Sequence, residues 1–150
     1  MLIFRHLKTL LMLSVALTVF LGAAKTLAEP ILIHSPDLQG EDFSNTSLLR
    51  IYAMQKRLWS DNTPVRVFTL PNGSDIHKKF VAKYLHMQSY QLDRLWHRLL
   101  FSGTGSIPEE VSSMEQMIEK VKNTPGAIGY IDSEYADQLS NAMKTESVNE

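Results

Sequence analysis

The pattern of apolar and polar positions divides most of the chain into short strands and amphipathic helices. Residues 31–34 and 65–70 are short apolar or alternating runs, each followed by a proline-containing turn, and they predict two strands. Residues 124–131 predict a turn that feeds a third strand. Strands that alternate with helices indicate an α/β fold with a small, mostly parallel sheet flanked by helices.

Four helices are predicted from apolar residues that recur every three or four positions. Their inward stripes are Leu48, Ile51 and Tyr52; Ile76, Phe80, Val81 and Tyr84; Leu92, Leu95, Trp96, Leu99 and Leu100; and Met114, Met117, Ile118 and Val121. Small polar residues in front of these stripes predict the helix N-caps. The predicted caps are Thr46 or Ser47, then Ser74, Ser89, and Ser112 in a capping box with Glu115. Ser133 is expected to cap a fifth helix that ends at Ala142, and Gly103 to stop the third.

The N-terminal segment has the layout of a secretory signal peptide. Arg5 and Lys8 precede an apolar run over residues 10–24, and small residues follow up to Ala28. This run is shorter than the roughly 20 residues of a spanning helix, so we expect cleavage after Ala28, with a retained membrane anchor as the alternative. The expected organisation is a signal peptide over 1–28, one domain over 29–142 and a polar tail over 143–150. The expected location is the periplasm of a Gram-negative type of envelope.

Charge and cysteine content narrow the function classes further. The whole chain has a formal net charge of −1, and removal of the signal peptide leaves 12 basic against 16 acidic residues. An acidic exported chain is a poor candidate for nucleic-acid binding. Residues 50–98 are moderately basic, which suits an anion or an acidic partner, although a solvated helix face is the simpler interpretation. The absence of cysteine excludes a lipid anchor at the cleavage site and any disulfide.

Four local strings follow one another along the chain. They are Leu49-Arg50-Ile51-Tyr52 with Lys56, Arg57, Trp59 and Asp61; residues 65–80 with Pro71, Gly73, Ser74 and Phe80; Trp96 with Phe101, Gly103 and Gly105; and Thr124-Pro125-Gly126-Ala127-Ile128-Gly129-Tyr130. In this order they resemble the second lobe of phosphate-type periplasmic binding proteins. The resemblance covers residues 47–135, and the last string is its most specific part. It implies a single periplasmic-binding-protein-like lobe with a solute-binding role in transport or sensing, and no enzymatic activity.

The resemblance places the ligand-binding turn at five consecutive residues. They are Gly73, Ser74, Asp75, Ile76 and His77. The family commonly has Gly-Ser-Gly-Thr here with an arginine close by, and backbone N–H groups at the helix N-terminus face the oxyanion. In this chain Asp75 and Ile76 replace the second glycine and the threonine, and Leu70 or His77 stands in place of the arginine. A carboxylate in the first turn competes with phosphate, and a protonated His77 would only partly replace arginine. Ser74 as a helix cap and His77 as an exposed helix residue are the simpler interpretations.

Chain length limits how tightly a ligand can be held. Two-lobed members of the family enclose the anion between their lobes, but the 122 residues after Ala28 suffice for one domain. A weak phosphate-like oxyanion site is the first functional hypothesis. The alternative is an envelope interaction module that has lost anion binding and holds a protein partner or a second copy of itself. Membrane contact is expected only through the signal peptide before cleavage.

Other chemistries have little support in the sequence. No Gly-x-Ser-x-Gly elbow, nucleotide-binding loop or dinucleotide fingerprint is present, and Glu109 and Glu110 are adjacent, which points their carboxylates apart. The metal-ligand candidates would be His77, His86, Met87 and His97. No two of these histidines are four residues apart, as ligands on one helix face would be. We therefore expect no catalytic residue, no metal and no cofactor.

Overall fold

The computed structural model describes residues 28–103 and 105–139. Within these ranges, four strands form one sheet with helices around it. The strands are β1 (Pro30–His34), β2 (Arg66–Thr69), β3 (Glu109–Glu110) and β4 (Ala127–Asp132). The α-helices are α1 (Asn45–Tyr52), α2 (Asp75–Leu85), α3 (Ser89–Phe101) and α4 (Met114–Asn123), and two 3-10 helices span Pro36–Leu38 and Ser133–Gln138. Apart from Ala28, the predicted signal peptide lies outside the described residues, as does the polar tail.

The sheet has the strand order β1-β4-β2-β3. Strand β2 is parallel to both β4 and β3, with Val67 opposite Ile128 and Phe68 opposite Glu109. Strand β1 is antiparallel to β4. The α/β prediction with a mostly parallel sheet is confirmed, since β1 supplies the one antiparallel pairing in the described sheet. Strand β3 was not predicted, because two adjacent glutamates carry no apolar signal for a strand.

Strand β4 lies at the centre of the core. All six of its residues are buried. Successive side chains of a strand point to opposite faces, and Gly129 accordingly faces α4 whereas Tyr130 faces α1 and α2. The Tyr130 ring stacks on Phe80 of α2 with a centroid distance of 4.0 Å. Helices therefore cover both faces of the sheet, as the fold class predicts.

Local hydrogen bonds place several helix N-caps differently from the sequence prediction. The predicted cap at Ser74 is confirmed, since its hydroxyl accepts a hydrogen bond from the His77 amide at 3.1 Å. In contrast, α1 is capped by Ser44 and α3 by Gln88, each ahead of the predicted residue. Helix α4 is capped by Ser113, one residue after the predicted Ser112. At α1 and α4 the serine hydroxyl accepts a hydrogen bond from the amide three residues on, whereas at α3 the Gln91 side chain accepts one from the Gln88 amide.

The end of the domain also differs from its prediction. Instead of a helix from Ser133 to Ala142, the chain forms the 3-10 helix Ser133–Gln138, and Asp132 is its N-cap through a hydrogen bond from the Glu134 amide. Ala142 lies outside the described residues. The Asp132 carboxylate accepts the hydrogen bond from the first turn of the 3-10 helix, so the N-cap lies at Asp132, one residue before the predicted Ser133.

Helix α3 buries a narrower face than its apolar stripe predicts. Leu92 and Trp96 are buried, but Leu100 is 53% exposed and Phe101 is 83% exposed. The helix packs on α2, and the Trp96 indole donates to the Tyr52 carbonyl at the end of α1, while the Leu100 side of the apolar stripe stays in solvent. The helix ends at Phe101, and Gly103 then adopts a left-handed conformation with φ of +65°.

The turn before β4 is a junction of three loops. The Trp59 indole donates a hydrogen bond to the Gly126 carbonyl at 2.9 Å, and the Gly126 amide donates to the Asp37 carboxylate at 2.9 Å. Gly126 has a φ of +73°, and a side-chain carbon added there would collide with the Pro64 carbonyl oxygen. Only glycine satisfies both the conformation and the close approach.

No helix in the part of the chain that the structure describes combines the length and the hydrophobicity of a membrane span.

Candidate functional site

The predicted ligand turn at residues 73–77 starts α2. Gly73 and Asp75 are exposed there. The Ser74 hydroxyl is used as the helix cap, and the Ser74 amide donates to the Pro71 carbonyl at 2.8 Å. The Asp75 carboxylate lies 3.4 Å from the Lys78 ammonium, with both side chains in solvent. Two of the polar groups that would face an anion are therefore already bonded within the turn.

The other two residues of the predicted turn lie in the core. Ile76 is 6% exposed and His77 is 1% exposed. The expectation that His77 is an exposed helix residue is wrong, because position 77 lies on the helix face that also carries Phe80 and Val81 and packs on the sheet. The structure therefore separates the five predicted residues into an exposed turn and a buried pair.

His77 belongs to a buried hydrogen-bond cluster at the ends of β2 and β4. Its Nδ1 atom is 2.5 Å from the Tyr130 hydroxyl, which is itself 2.9 Å from the Thr69 hydroxyl. The Leu70 amide donates to the same Tyr130 oxygen at 3.0 Å. The Thr69 hydroxyl donates to the Leu70 carbonyl at 3.2 Å. The other ring nitrogen of His77, Nε2, is buried and has no hydrogen-bond partner among the described residues.

The electrostatics of this cluster keep His77 uncharged. Burial lowers the pKa of His77 from its ordinary 6.5 to about 4, and the nearby Asp93 carboxylate only partly opposes that shift. The imidazole is therefore neutral at pH 7, so it does not provide the positive charge that arginine would bring to an oxyanion site.

A pocket of about 180 Å³ opens beside this cluster, where β2 and β3 end and α3 passes over them. Its lining consists of Thr69, Leu70, Asn72, Asp93, Trp96, His97, Leu100, Ile107, Pro108 and Glu110. Ligands of open α/β sheets bind outside the carboxyl ends of the strands. We call this cavity the carboxyl-edge pocket.

The charges in the carboxyl-edge pocket are those of two carboxylates. Asp93 and Glu110 line it, and no lysine or arginine is among its lining residues. The His97 Nδ1 atom is 3.4 Å from the Asp93 carboxylate, and it is charged only when protonated. Two carboxylates at one pocket repel a phosphate. The pocket is therefore electrostatically unsuited to the ligand that the sequence resemblance implies.

The basic residues of α2 are engaged at another surface. The Lys79 ammonium donates to the Ala28 carbonyl at 2.6 Å, and Lys83 lies 3.3 Å from the Glu29 carboxylate. These lysines contact the segment that enters β1, and they do not line the carboxyl-edge pocket.

The histidines proposed as metal-ligand candidates do not meet. His77 is in the core, His97 is beside Asp93, and the His86 Nε2 atom is 2.9 Å from the Asn45 side-chain nitrogen. Within residues 28–103 and 105–139, no group of three or more His, Asp or Glu side chains is placed to hold a metal ion.

Sequence reasoning missed the two carboxylates of the pocket and the tyrosine of the buried cluster. Asp93, Glu110 and Tyr130 were not proposed as site residues. The signal for His77 was present, since positions 77, 80, 81 and 84 share one helix face. Glu110 gave no comparable signal, because its place at the edge of the sheet depends on the unpredicted strand β3.

Most of the chain is similar in fold to part of several solved phosphate-transport proteins. A phosphate ABC transporter substrate-binding protein with bound phosphate from Clostridium perfringens matches 79% of this chain with a TM-score of 0.59 and 16% identity. An ABC-type phosphate transport receptor from Vibrio cholerae matches 78% with a TM-score of 0.57 and 13% identity. PstS from Borrelia burgdorferi matches 74% with a TM-score of 0.52 and 18% identity.

The fold is that of a phosphate-type binding-protein lobe. The chain spans less than half of each of these structures, between 43% and 44% of their lengths, as a single lobe would. Identities this low show the fold and do not carry the ligand across. No protein-family model matches the sequence, and no curated protein matches it either.

Proposed function

We propose that this chain is an exported, non-catalytic interaction module that uses a binding-protein lobe to hold a protein partner and does not capture phosphate. The main support for the proposal is the charge of the carboxyl-edge pocket. Asp93 and Glu110 line the cavity, and no lysine or arginine is among its lining residues. The neutral, buried His77 supports the same conclusion, since it adds no charge for an anion.

Exposed apolar side chains around the mouth of the carboxyl-edge pocket support a protein partner. Leu100 is 53% exposed and Ile107 41% exposed, and both line the pocket. Phe101 is 83% exposed and stacks near His97 with a centroid distance of 6.3 Å. Large apolar side chains gathered in solvent beside a cavity are typical of protein interaction sites.

A weak oxyanion site at the start of α2 is the second candidate. The favourable observation is that the capped turn before α2 is intact, so the positive end of the helix still faces the solvent next to Gly73. A structural neighbour from Clostridium perfringens was solved with bound phosphate. The Asp75 carboxylate argues against this candidate. It lies in the first turn of α2, where its negative charge interacts with the positive end of the helix and repels an oxyanion.

Thermal unfolding in the presence of phosphate separates the two candidates. The purified chain is titrated with phosphate at constant ionic strength, with chloride as the control. A site filled at 100 times its dissociation constant would add about 2.7 kcal/mol of stability. We expect no saturable shift up to millimolar phosphate. A saturable shift that is enhanced by Asp75→Gly and lost in Ser74→Ala would establish the oxyanion site and remove this proposal.

Recovery of a partner from envelope extracts tests the interaction itself. Phe101→Ser should lower the amount of a specific co-purifying protein at least fivefold while leaving the stability of the chain unchanged, because Phe101 is mostly in solvent. Leu58→Ser is the matched control, since Leu58 is 50% exposed but lies in the segment between α1 and β2 and not at the end of α3. Equal recovery by the native chain and by both variants would contradict the proposed surface.

A further inference from the structure

The carboxyl-edge pocket combines hydrogen-bond acceptors with an apolar base. Asp93 and Glu110 contribute two carboxylates, while Trp96, Leu100 and Ile107 contribute apolar surface. The two kinds of lining residue favour different parts of a ligand, since the carboxylates attract a cation and the apolar residues attract hydrocarbon. A ligand that satisfies both has a positive charge on an apolar stem.

A third acceptor in the pocket lining has no partner. The Asn72 Oδ1 atom is shielded from solvent and makes no hydrogen bond with any described residue, and Asn72 lines the pocket. A buried carbonyl oxygen without a donor is costly, and a ligand N–H group removes that cost. A ligand N–H group would give the Asn72 oxygen the donor that it lacks, whereas the acceptor oxygens of a phosphate would not.

Size restricts the ligand to one side chain or a small molecule. The volume of about 180 Å³ is close to that of engineered cavities, on the order of 150 Å³, that hold a benzene ring. Arginine suits such a space better than lysine. Its planar guanidinium presents five donors, pairs with carboxylates in a fork and stacks on aromatic rings such as Trp96.

We infer that the carboxyl-edge pocket binds an arginine side chain of the partner protein, with Asp93 and Glu110 as the charged acceptors. This inference rests on the proposed function and names the chemistry of its partner. The exposed Phe101 and Leu100 beside the pocket then contact apolar residues that flank this arginine.

Two short peptides that differ in one charge provide the first test. One is acetyl-Ala-Leu-Arg-Leu-Ala-amide, and the other carries citrulline, which is neutral and nearly isosteric, in place of arginine. Binding is followed by NMR through the indole N–H signals of Trp96, in the pocket lining, and of Trp59, outside it. We expect the Trp96 signal to shift with the arginine peptide while the Trp59 signal stays. The citrulline peptide should bind at least tenfold more weakly, which corresponds to about 1.4 kcal/mol.

Neutral variants of the chain provide the second test. The double variant Asp93→Asn with Glu110→Gln should weaken the arginine peptide at least tenfold and leave the citrulline peptide unchanged. Glu109→Gln is the matched control, because Glu109 is adjacent in sequence but pairs with Lys120 at 2.7 Å and does not line the pocket. Equal affinity for the two peptides, or equal effects of the double variant and the control, would overturn the inference.

The same double variant distinguishes this inference from the proposed function. Loss of a specific envelope partner from both the double variant and Phe101→Ser supports the two together. Full recovery of the partner by the double variant, with loss in Phe101→Ser, refutes the arginine pocket and leaves the interaction module in place. If the native chain holds no partner but discriminates between the peptides, the interaction module fails and the preference of the pocket for a guanidinium group stands.

Discussion

Replacement of His77 by glutamine should change how the stability of the domain depends on pH. In the folded chain burial lowers the pKa of His77 to about 4, whereas an unfolded chain has the ordinary value of 6.5. The folded state therefore disfavours the proton. Stability is fully present above pH 6.5 and falls as the pH decreases towards 4, because the unfolded chain gains a proton that the folded chain excludes.

The size of this effect follows from the two pKa values. At pH 5 the unfolded imidazole is almost fully protonated and the folded one mostly neutral, so the native chain should lose about 2 kcal/mol relative to pH 7.5. The limit below pH 4 is about 3 kcal/mol. His77→Gln removes the titrating group, so this loss should be absent from the variant even if glutamine lowers stability at every pH.

Urea unfolding at pH 7.5 and at pH 5 measures the effect. Hydrogen bonds lower the pKa of Asp42 and of Asp61 below the ordinary value of 3.8. The protonation of these carboxylates therefore lies below the pH range of the experiment. His97→Gln is the control for loss of one histidine, since His97 is exposed on the neighbouring helix. A native chain as stable at pH 5 as at pH 7.5, or equal pH slopes for His77→Gln and the native chain, would refute the neutral buried imidazole.

Three further substitutions test the contacts that hold the site in place. Ser74→Ala should lower the unfolding free energy by about 1 kcal/mol, measured by urea unfolding, because the amide of residue 77 loses its cap; Ser74→Asp should keep most of the stability. Gly126→Ala should destabilise the domain by more than about 2 kcal/mol in the same assay, because alanine disfavours the positive φ and meets the Pro64 carbonyl. Gly73→Ala is its control, since nothing lies within 4 Å of an added side-chain carbon there. Tyr130→Phe should cost about 1 to 3 kcal/mol, because the Leu70 amide loses its acceptor; an unchanged stability would contradict the cluster.

Local chemistry explains which parts of this fold were predictable. The Ser74 cap and the strands β1 and β2 depend on residues within a few positions of each other, so the sequence pattern was sufficient for them. His77 was misplaced because a polar residue type was given more weight than its position on the buried helix face. The spacing of the apolar residues in α2 places position 77 on the same buried face as Phe80 and Val81.

The carboxyl-edge pocket was not predictable in the same way. Asp93 and Glu110 are 17 positions apart in the sequence and lie on different elements, α3 and β3, that meet only in the folded sheet. Neither the position of β3 nor the exposed end of α3 follows from a local period. The resemblance to binding proteins supplied the fold and the loop, but the charges at this pocket became visible only in three dimensions.

The central position of β4 has a consequence for how the chain folds. Strand β4 is the last of the described strands in sequence, yet both β1 and β2 pair with it, and Ile33 of β1 lies opposite Gly129 of β4. Contacts between segments that are distant in sequence form slowly, and the pairings of β1 and β2 in this sheet both require β4. A chain that has not yet released residues 127–132 lacks the strand that joins β1 to the rest of the sheet. The order of the strands along the chain thus delays completion of the sheet until residues 127–132 are available to pair.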